Sequence, residues 1–178
     1  MPVSLHELNN ADENRFVEMA GFLVENSSWV LEEIAGQRPF GSAQALCDAI
    51  EAAITRMNRA DQTNLFLAHP ELAGAEAQAG TMTRESTGEQ GRLGLLSLDR
   101  KELERLQKLN AEYRQRFGYP FIVALSRQPD LAAVFGLLAQ RLRNDPDAEI
   151  RATIAEIMHV VRGRAAQISD DRVISGGL

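Results

Sequence analysis

Apolar residues recur three and four positions apart along almost the whole of this sequence. That period matches the 3.6-residue turn of an α-helix and commits most of the chain to amphipathic helices. Phe16, Met19, Ala20 and Leu23 share one face of a helix over about 12–24, with Asn10 or Asp12 as its N-cap. Leu31 and Ile34 mark a second short helix, ended by Gly36 and Pro39. Leu46, Ile50, Ala53 and Met57 repeat over about 43–58, and Leu103, Leu106, Leu109, Tyr113 and Phe117 over about 99–117. Asp99 and Glu102 form a variant capping box at the start of the latter, and Gly118 supplies its stop. Leu131, Val134, Phe135, Leu138 and Leu142 predict a helix over about 130–143. Asp145 and Pro146 then open a last helix that carries Ile150, Ile154, Ile157, Val161 and Ile168 on one side.

Only YPFIVAL (119–125) reads as a buried strand, and it has no pairing partner. It is expected as an extended turn leading into, or forming the first turn of, a core helix. Residues from about 72 to 94 hold Gly74, Gly80, Gly88, Gly91 and Gly94 among small and polar residues. They fit either a flexible linker or a long functional loop containing a short helix. The fold class expected is all-α: a single compact domain spanning residues 1–178, of about eight helices, with a long Gly-rich active-site loop. Residues from about 169 to 178 are expected as a loose polar tail.

With 178 residues, 44% of them hydrophobic, the chain has material for a real core. A net charge of -6 without any basic block argues against nucleic acid as a partner. No apolar run approaches the roughly 18 residues that cross a bilayer, so no membrane association is expected. The N-terminus lacks a basic-then-apolar leader, and the C-terminus reads SGGL where a peroxisomal address would read SKL. A cytoplasmic location is the expectation. The sole cysteine, Cys47, sits in a helix interior and reads as a small buried hydrophobe. The histidines His6, His69 and His159 include no pair at metal-ligand spacing, so no metal site is expected.

His69 stands apart from the other two. His159 lies about 200° around its helix from Ile157, which places it on the solvent face, and His6 falls near a polar terminus. His69 follows the hydrophobic LFLA and precedes Pro70, which disfavours the α conformation at His69 and should end the preceding helix there. The imidazole then either caps its own helix carbonyls or stands at the mouth of the Gly-rich segment, within reach of a ligand. Ser86 and Glu89 fit an S-x-x-E capping box; alternatively that helix N-terminus faces a ligand's oxygens. Arg164 falls within about 50° of the centre of the last helix's apolar stripe, whereas Arg162 lies more than about 100° away. Arg164 therefore points inward and needs a buried acidic partner or a ligand, and Arg162 reads as a surface charge.

The ordered stretches FLAHPELAG, STGEQGRLGL and LNAEYRQRFGYPFIVAL, preceded by LVENSSWVLEEIAGQRPF, resemble the OHCU decarboxylase family of ureide metabolism. The resemblance extends over residues 5–168. It implies an all-helical homodimer that uses no metal or organic cofactor and acts on a small ureidoimidazoline. It also implies His69 as the catalytic histidine with Pro70 beside it, and Ser86, Glu89 and Gln90 as pocket residues. The segment Phe121, Ile122, Val123, Ala124 and Leu125 would line the site, and Arg164 would be the C-terminal arginine. His69, Glu89 and Arg164 would thus carry the chemistry: proton transfer, orientation of the imidazole or the ureido group, and substrate orientation respectively. An imidazole pKa of about 6.5 suits proton transfer near neutrality.

The competing reading is a non-catalytic helical module for ureide binding or protein interaction. In it His69 is a cap, Ser86 and Glu89 a capping box, and Arg164 half of a buried ion pair. An interaction scaffold has no reason to bring the three separated segments together.

Overall fold

A computed structural model of the protein describes residues 3–169. The described residues form ten α-helices: α1 (Leu5–Asn10), α2 (Glu13–Ala20), α3 (Trp29–Ile34), α4 (Ala43–Arg56), α5 (Arg59–Leu67), α6 (Ala75–Ala79), α7 (Arg84–Arg92), α8 (Arg100–Phe117), α9 (Leu131–Arg141) and α10 (Pro146–Ala165). No strand occurs among them, and the one β-bridge pairs Ser4 with Ser169. Two of the helices, α6 and α7, occupy the Gly-rich segment, and α1 replaces what reads as a polar terminus. Six-residue α1 is held by a capping box in which Ser4 and Glu7 satisfy each other's backbone amides. Ser169, expected in the loose tail, instead bonds to Val3 and Leu5. The remainder of that tail, 170–178, lies outside the described residues.

Two compact units divide the chain: Met1–Met57 with Met158–Leu178, and Asn58–Ile157. The first is built on α1–α4 and the end of α10. Phe16, Leu23, Val30, Leu31, Ile34, Leu46 and Ile50 are buried in it. Between α2 and α3 the chain turns sharply through Asn26, at φ 46°, and Ser27 Oγ donates to the Glu25 carbonyl at 2.8 Å. This turn carries the Glu25 carboxylate inward, where it meets Arg164 at 3.0 Å. Helical geometry predicted the inward direction of Arg164. Arg162 departs from its expected place as a surface charge: it is half-buried and ion-paired with Glu51, because α4 supplies a carboxylate beside it. His159, expected on the solvent face, is likewise half-buried, and α10 ends at Ala165, short of the expected Ile168.

The second unit contains α5–α9 and α10 up to Ile157. Asp99 and Glu102 form the predicted capping box at the start of α8, and Gly118 closes that helix in the left-handed conformation at φ 84°. Asp145 caps α10 by accepting from the Ala148 N–H at 2.8 Å, which holds its carboxyl below the usual range. The α8 stripe buries Leu106, Asn110 and Tyr113, so a polar residue shares the inner face with the predicted apolar ones. Among the described residues, no helix is long and apolar enough to cross a membrane.

Two outcomes follow from the packing of the first unit. Burial pushes the Cys47 thiol up, only partly opposed by Arg162, so the thiolate is scarce and shielded. Cys47 should resist a thiol reagent such as DTNB in the native protein and react once denaturant unfolds it. Removing one member of a buried ion pair strands the other, at a cost of about 3–5 kcal/mol. Glu25→Ala should lower unfolding stability by that order in chemical denaturation, whereas Glu18→Ala, which opens an exposed pair, should change it little.

Candidate active site

Pro70 ends α5 as the sequence predicts. The helix stops at Leu67, and the next amides bond back to it, with His69 N–H reaching the Phe66 carbonyl at 3.1 Å. The His69 ring turns onto the same helix end, with Nδ1 2.9 Å from the Leu65 carbonyl oxygen. A carbonyl only accepts, so Nδ1 carries the proton and Nε2 holds the lone pair of the neutral ring. The cap and the reactive-group readings of His69 are therefore compatible: the cap fixes the ring and its tautomer. His69 and Pro70 are both half-buried.

After Pro70 the chain forms a tight loop, Glu71–Gly74, with Ala73 held at φ 48°. A Cβ on Gly74 would sit 2.8 Å from Glu71 Cβ, so glycine is required by the close approach. Three side chains grip this loop, two by its backbone and one through the Glu71 carboxylate. Gln90 Oε1 accepts from Ala73 N–H at 2.9 Å, and its Nε2 faces the Glu71 carbonyl at 3.4 Å. Asn110 Nδ2 donates to the Leu72 carbonyl at 3.0 Å, and Arg114 pairs with the Glu71 carboxylate at 3.1 Å.

Ser86, Glu89 and Gln90 all lie on α7, but Ser86 does not cap it. Thr83 is the N-cap and accepts from Ser86 N–H at 3.2 Å, which places Ser86 at the third helical position and Glu89 a turn further in. The capping-box reading of Ser86 and Glu89 is thus displaced by one turn, because TMTRES offers an earlier hydroxyl at the same spacing. Ser86 and Gln90 are buried, and Glu89 is half-buried. Gln90 directs both ends of its amide at the Glu71–Ala73 loop, with Nε2 also 3.3 Å from Met82 Sδ, so it acts on the site through the backbone.

The third segment, Phe121–Leu125, forms no regular structure until a short 3-10 helix begins at Leu125. All five residues are buried. Side chains hold its backbone: Arg141 Nη1 donates to the Ile122 carbonyl at 2.6 Å, and Ala124 N–H donates to Glu156 at 2.7 Å. Arg92, at the end of α7, donates to the carbonyls of Leu125 and Gln128. Among the described residues no protein group accepts the N–H of Ile122 or Val123, although these residues are only 5% and 6% exposed. Buried backbone donors are almost always paired, which sets these two apart.

The second unit thus ties together three segments far apart in sequence. Gln90 joins α7 to the His69–Gly74 loop, Arg92 joins α7 to Leu125, and the Phe66 ring meets Tyr119 edge-on with centroids 4.8 Å apart. Arg164 belongs to the first unit, where Nη1 reaches both the Glu25 carboxylate and the Phe22 carbonyl. A separate cavity of about 260 Å³, lined by Ala73, Ala77, Gln78, Leu95, Leu103 and Gln107 among others, contains none of the predicted site residues and no ionisable lining group.

Sequence reasoning missed Arg92, Asn110, Arg141, Glu149 and Glu156. A usable signal existed for several of them. Arg141 follows Leu138 by three positions on the α9 stripe, and Glu149 and Thr153 precede Ile157 at i–8 and i–4. The angular test applied to Arg164 is a weaker guide here: Arg141 and Thr153 lie roughly 60–80° from the centres of their stripes and Glu149 about 100° away.

Comparison with known proteins places the chain in a family. Residues 9–166 match the family described as OHCU decarboxylase. The mouse 2-oxo-4-hydroxy-4-carboxy-5-ureidoimidazoline decarboxylase is 39% identical over 154 residues, covering 86% of each chain. The Haloferax volcanii protein of the same name is 33% identical, covering 93% of this chain and 95% of its own. The fold is similar to that of an (S)-allantoin synthase crystal structure, with a TM-score of 0.72, 23% identity, and coverage of 94% of this chain and 54% of the other. With that match running through the loop, α7 and the Phe121–Leu125 segment alike, this chain belongs to the OHCU decarboxylase family.

Proposed function

We propose that this protein decarboxylates 2-oxo-4-hydroxy-4-carboxy-5-ureidoimidazoline to (S)-allantoin in urate degradation, without a cofactor. The observation that carries the reading is the His69 ring, fixed by its Nδ1 bond to the Leu65 carbonyl and leaving Nε2 as the basic nitrogen. It is supported by family membership and by relatives that bear this activity in their names.

The substrate carries a carboxylate and a hydroxyl on one ring carbon, next to a ring C=N bond. When the C–COO⁻ bond breaks, its electron pair forms a double bond to the neighbouring carbon. The C=N π pair moves onto the ring nitrogen, which takes up a proton. The resulting enol returns to a carbonyl by giving up its hydroxyl proton, while the neighbouring carbon gains one. The substrate is its own electron sink, so the protein's part is to hold geometry and move protons. His69 Nε2 takes the hydroxyl proton and assists the delivery of one to carbon from a single face.

Ser86 and Glu89, with Pro70 and the Phe121–Leu125 backbone, orient the ring and the ureido arm, and Gln90 keeps the His69–Gly74 loop in place. For Arg164, which the structure pairs with Glu25 inside the first unit, a part in orienting the substrate rests on the resemblance. A clamp on the scissile carboxylate would stabilise the ground state, and only interactions stronger in the transition state accelerate the step. The same reading makes the protein cytoplasmic and, as the resemblance implies, a homodimer.

With substrate generated in situ from urate by urate oxidase and hydroxyisourate hydrolase, the protein should accelerate CO2 release well above the spontaneous rate. His69→Ala should abolish the acceleration while keeping the wild-type helical signal and unfolding midpoint. A folded wild-type protein that leaves the rate unchanged rules the reading out, and full activity in His69→Ala removes His69 from the chemistry. Gln90→Leu, which deletes the clamp on Ala73 and Glu71 at similar volume, should lower turnover by about 10- to 100-fold through misplacement of the loop, as read in the same assay.

A further inference from the structure

Beneath the Phe121–Leu125 segment lies a buried polar cluster that the reaction as described does not use. Arg141 and Glu149 form an ion pair at 2.6 Å, with side chains only 5% and 0% exposed. The guanidinium also donates to Thr153 Oγ1 at 2.9 Å and stacks over the Phe121 ring, 4.8 Å from its centroid. Glu149 accepts from Asn144 Nδ2 at 2.7 Å and from the Tyr113 hydroxyl. Burial pushes that hydroxyl well up from its ordinary range, so it stays protonated and remains a donor. A cluster of this kind is a poor way to gain stability, since well-packed apolar residues of similar volume often do as well or better. Among the described residues, the cluster reaches irregular backbone through the bond from Arg141 Nη1 to the Ile122 carbonyl.

That bond has a geometric consequence. The Ile122 carbonyl and the Val123 N–H belong to one planar peptide unit, and in a trans peptide they point in opposite directions. Holding the carbonyl against Arg141 therefore directs the Val123 N–H away from the cluster. It is a buried donor for which no protein acceptor exists among the described residues. On the far side of Val123, Glu156 holds the Ala124 N–H, so the peptide planes on both sides of Val123 are fixed. Resting on the decarboxylase reading above, we propose that Arg141 is a positioning residue for the reaction: it sets the Ile122–Val123 peptide plane so that the Val123 N–H donates to an oxygen of the bound ureide. Glu149, Thr153 and Tyr113 keep the guanidinium in that orientation, and the ion pair serves the site more than the core.

The test combines wild-type protein and Arg141→Lys. Lysine keeps a positive charge opposite Glu149, but its single ammonium lacks the planar fork that reaches Glu149, Thr153 and the Ile122 carbonyl together. In Arg141→Lys, kcat should fall about 10- to 100-fold with a smaller change in KM and an unfolding temperature near that of the wild type. In 15N-labelled wild-type protein titrated with (S)-allantoin, the Val123 amide proton should shift downfield, and in Arg141→Lys that shift should be lost or reduced. A folded Arg141→Lys with wild-type kcat and KM overturns the proposal. So does a wild-type titration in which amides of the His69–Gly74 loop respond and Val123 does not, and that result decides the matter even if the variant fails to fold. Absence of activity in the wild-type protein is a different failure, and removes the decarboxylase reading itself.

Discussion

A helical protein that buries a stretch of irregular chain has to satisfy that stretch's backbone with side chains, because no sheet neighbour exists to do so. Residues 118–124 and 68–74 impose this requirement on the second unit. Three buried polar side chains, Gln90, Asn110 and Arg141, serve it directly, joined by the exposed Arg92 and the half-buried Glu156. Gln90 and Asn110 hold the loop after His69, while Arg92, Arg141 and Glu156 hold the segment after Pro120. Within Phe121–Leu125 the Ala124 N–H is paired, to Glu156, and those of Phe121, Ile122, Val123 and Leu125 have no protein acceptor among the described residues. The same bonds anchor both irregular segments to α7, α8, α9 and α10.

Much of the scaffold was legible in the sequence, for a physical reason. The helices α4, α8, α9 and α10 each carry an apolar stripe long enough to show its period. Their ends carry residues whose conformational preferences are strong: Asp99 with Glu102, Gly118, and Asp145 before Pro146. Pro70 likewise forecast the end of α5 within two residues. The short elements were not legible. A helix of five or six residues such as α6 or α1 shows less than two turns of pattern, and the glycines of 72–94 masked the fact that Gly88 and Gly91 lie inside α7. Thr83 preceded Ser86 at the same spacing that Ser86 keeps from Glu89, so the capping rule alone could not choose between them.

At the site, residue identities came from the resemblance and from one angular argument, that Arg164 faces inward. Its partner, Glu25, was hidden because the left-handed turn at Asn26 has no periodic signature. Roles were harder still. Gln90 reads as a ligand residue in sequence, yet its amide is occupied at both ends by backbone, a fact that depends on a 17-residue separation closing in space. His69 shows the opposite lesson. The cap and the proton-transfer readings do not exclude each other, because the cap engages one ring nitrogen, Nδ1, and not the other.

The central claim is that a fixed imidazole and a fixed backbone present the decarboxylated intermediate with a proton on one face only. The most direct measurement is circular dichroism of the product formed from in-situ substrate, compared with the spontaneous decay that gives racemic allantoin. The account predicts rapid growth of a single-handed (S)-allantoin signal. Racemic allantoin, formed at whatever rate in the presence of folded protein, would contradict it.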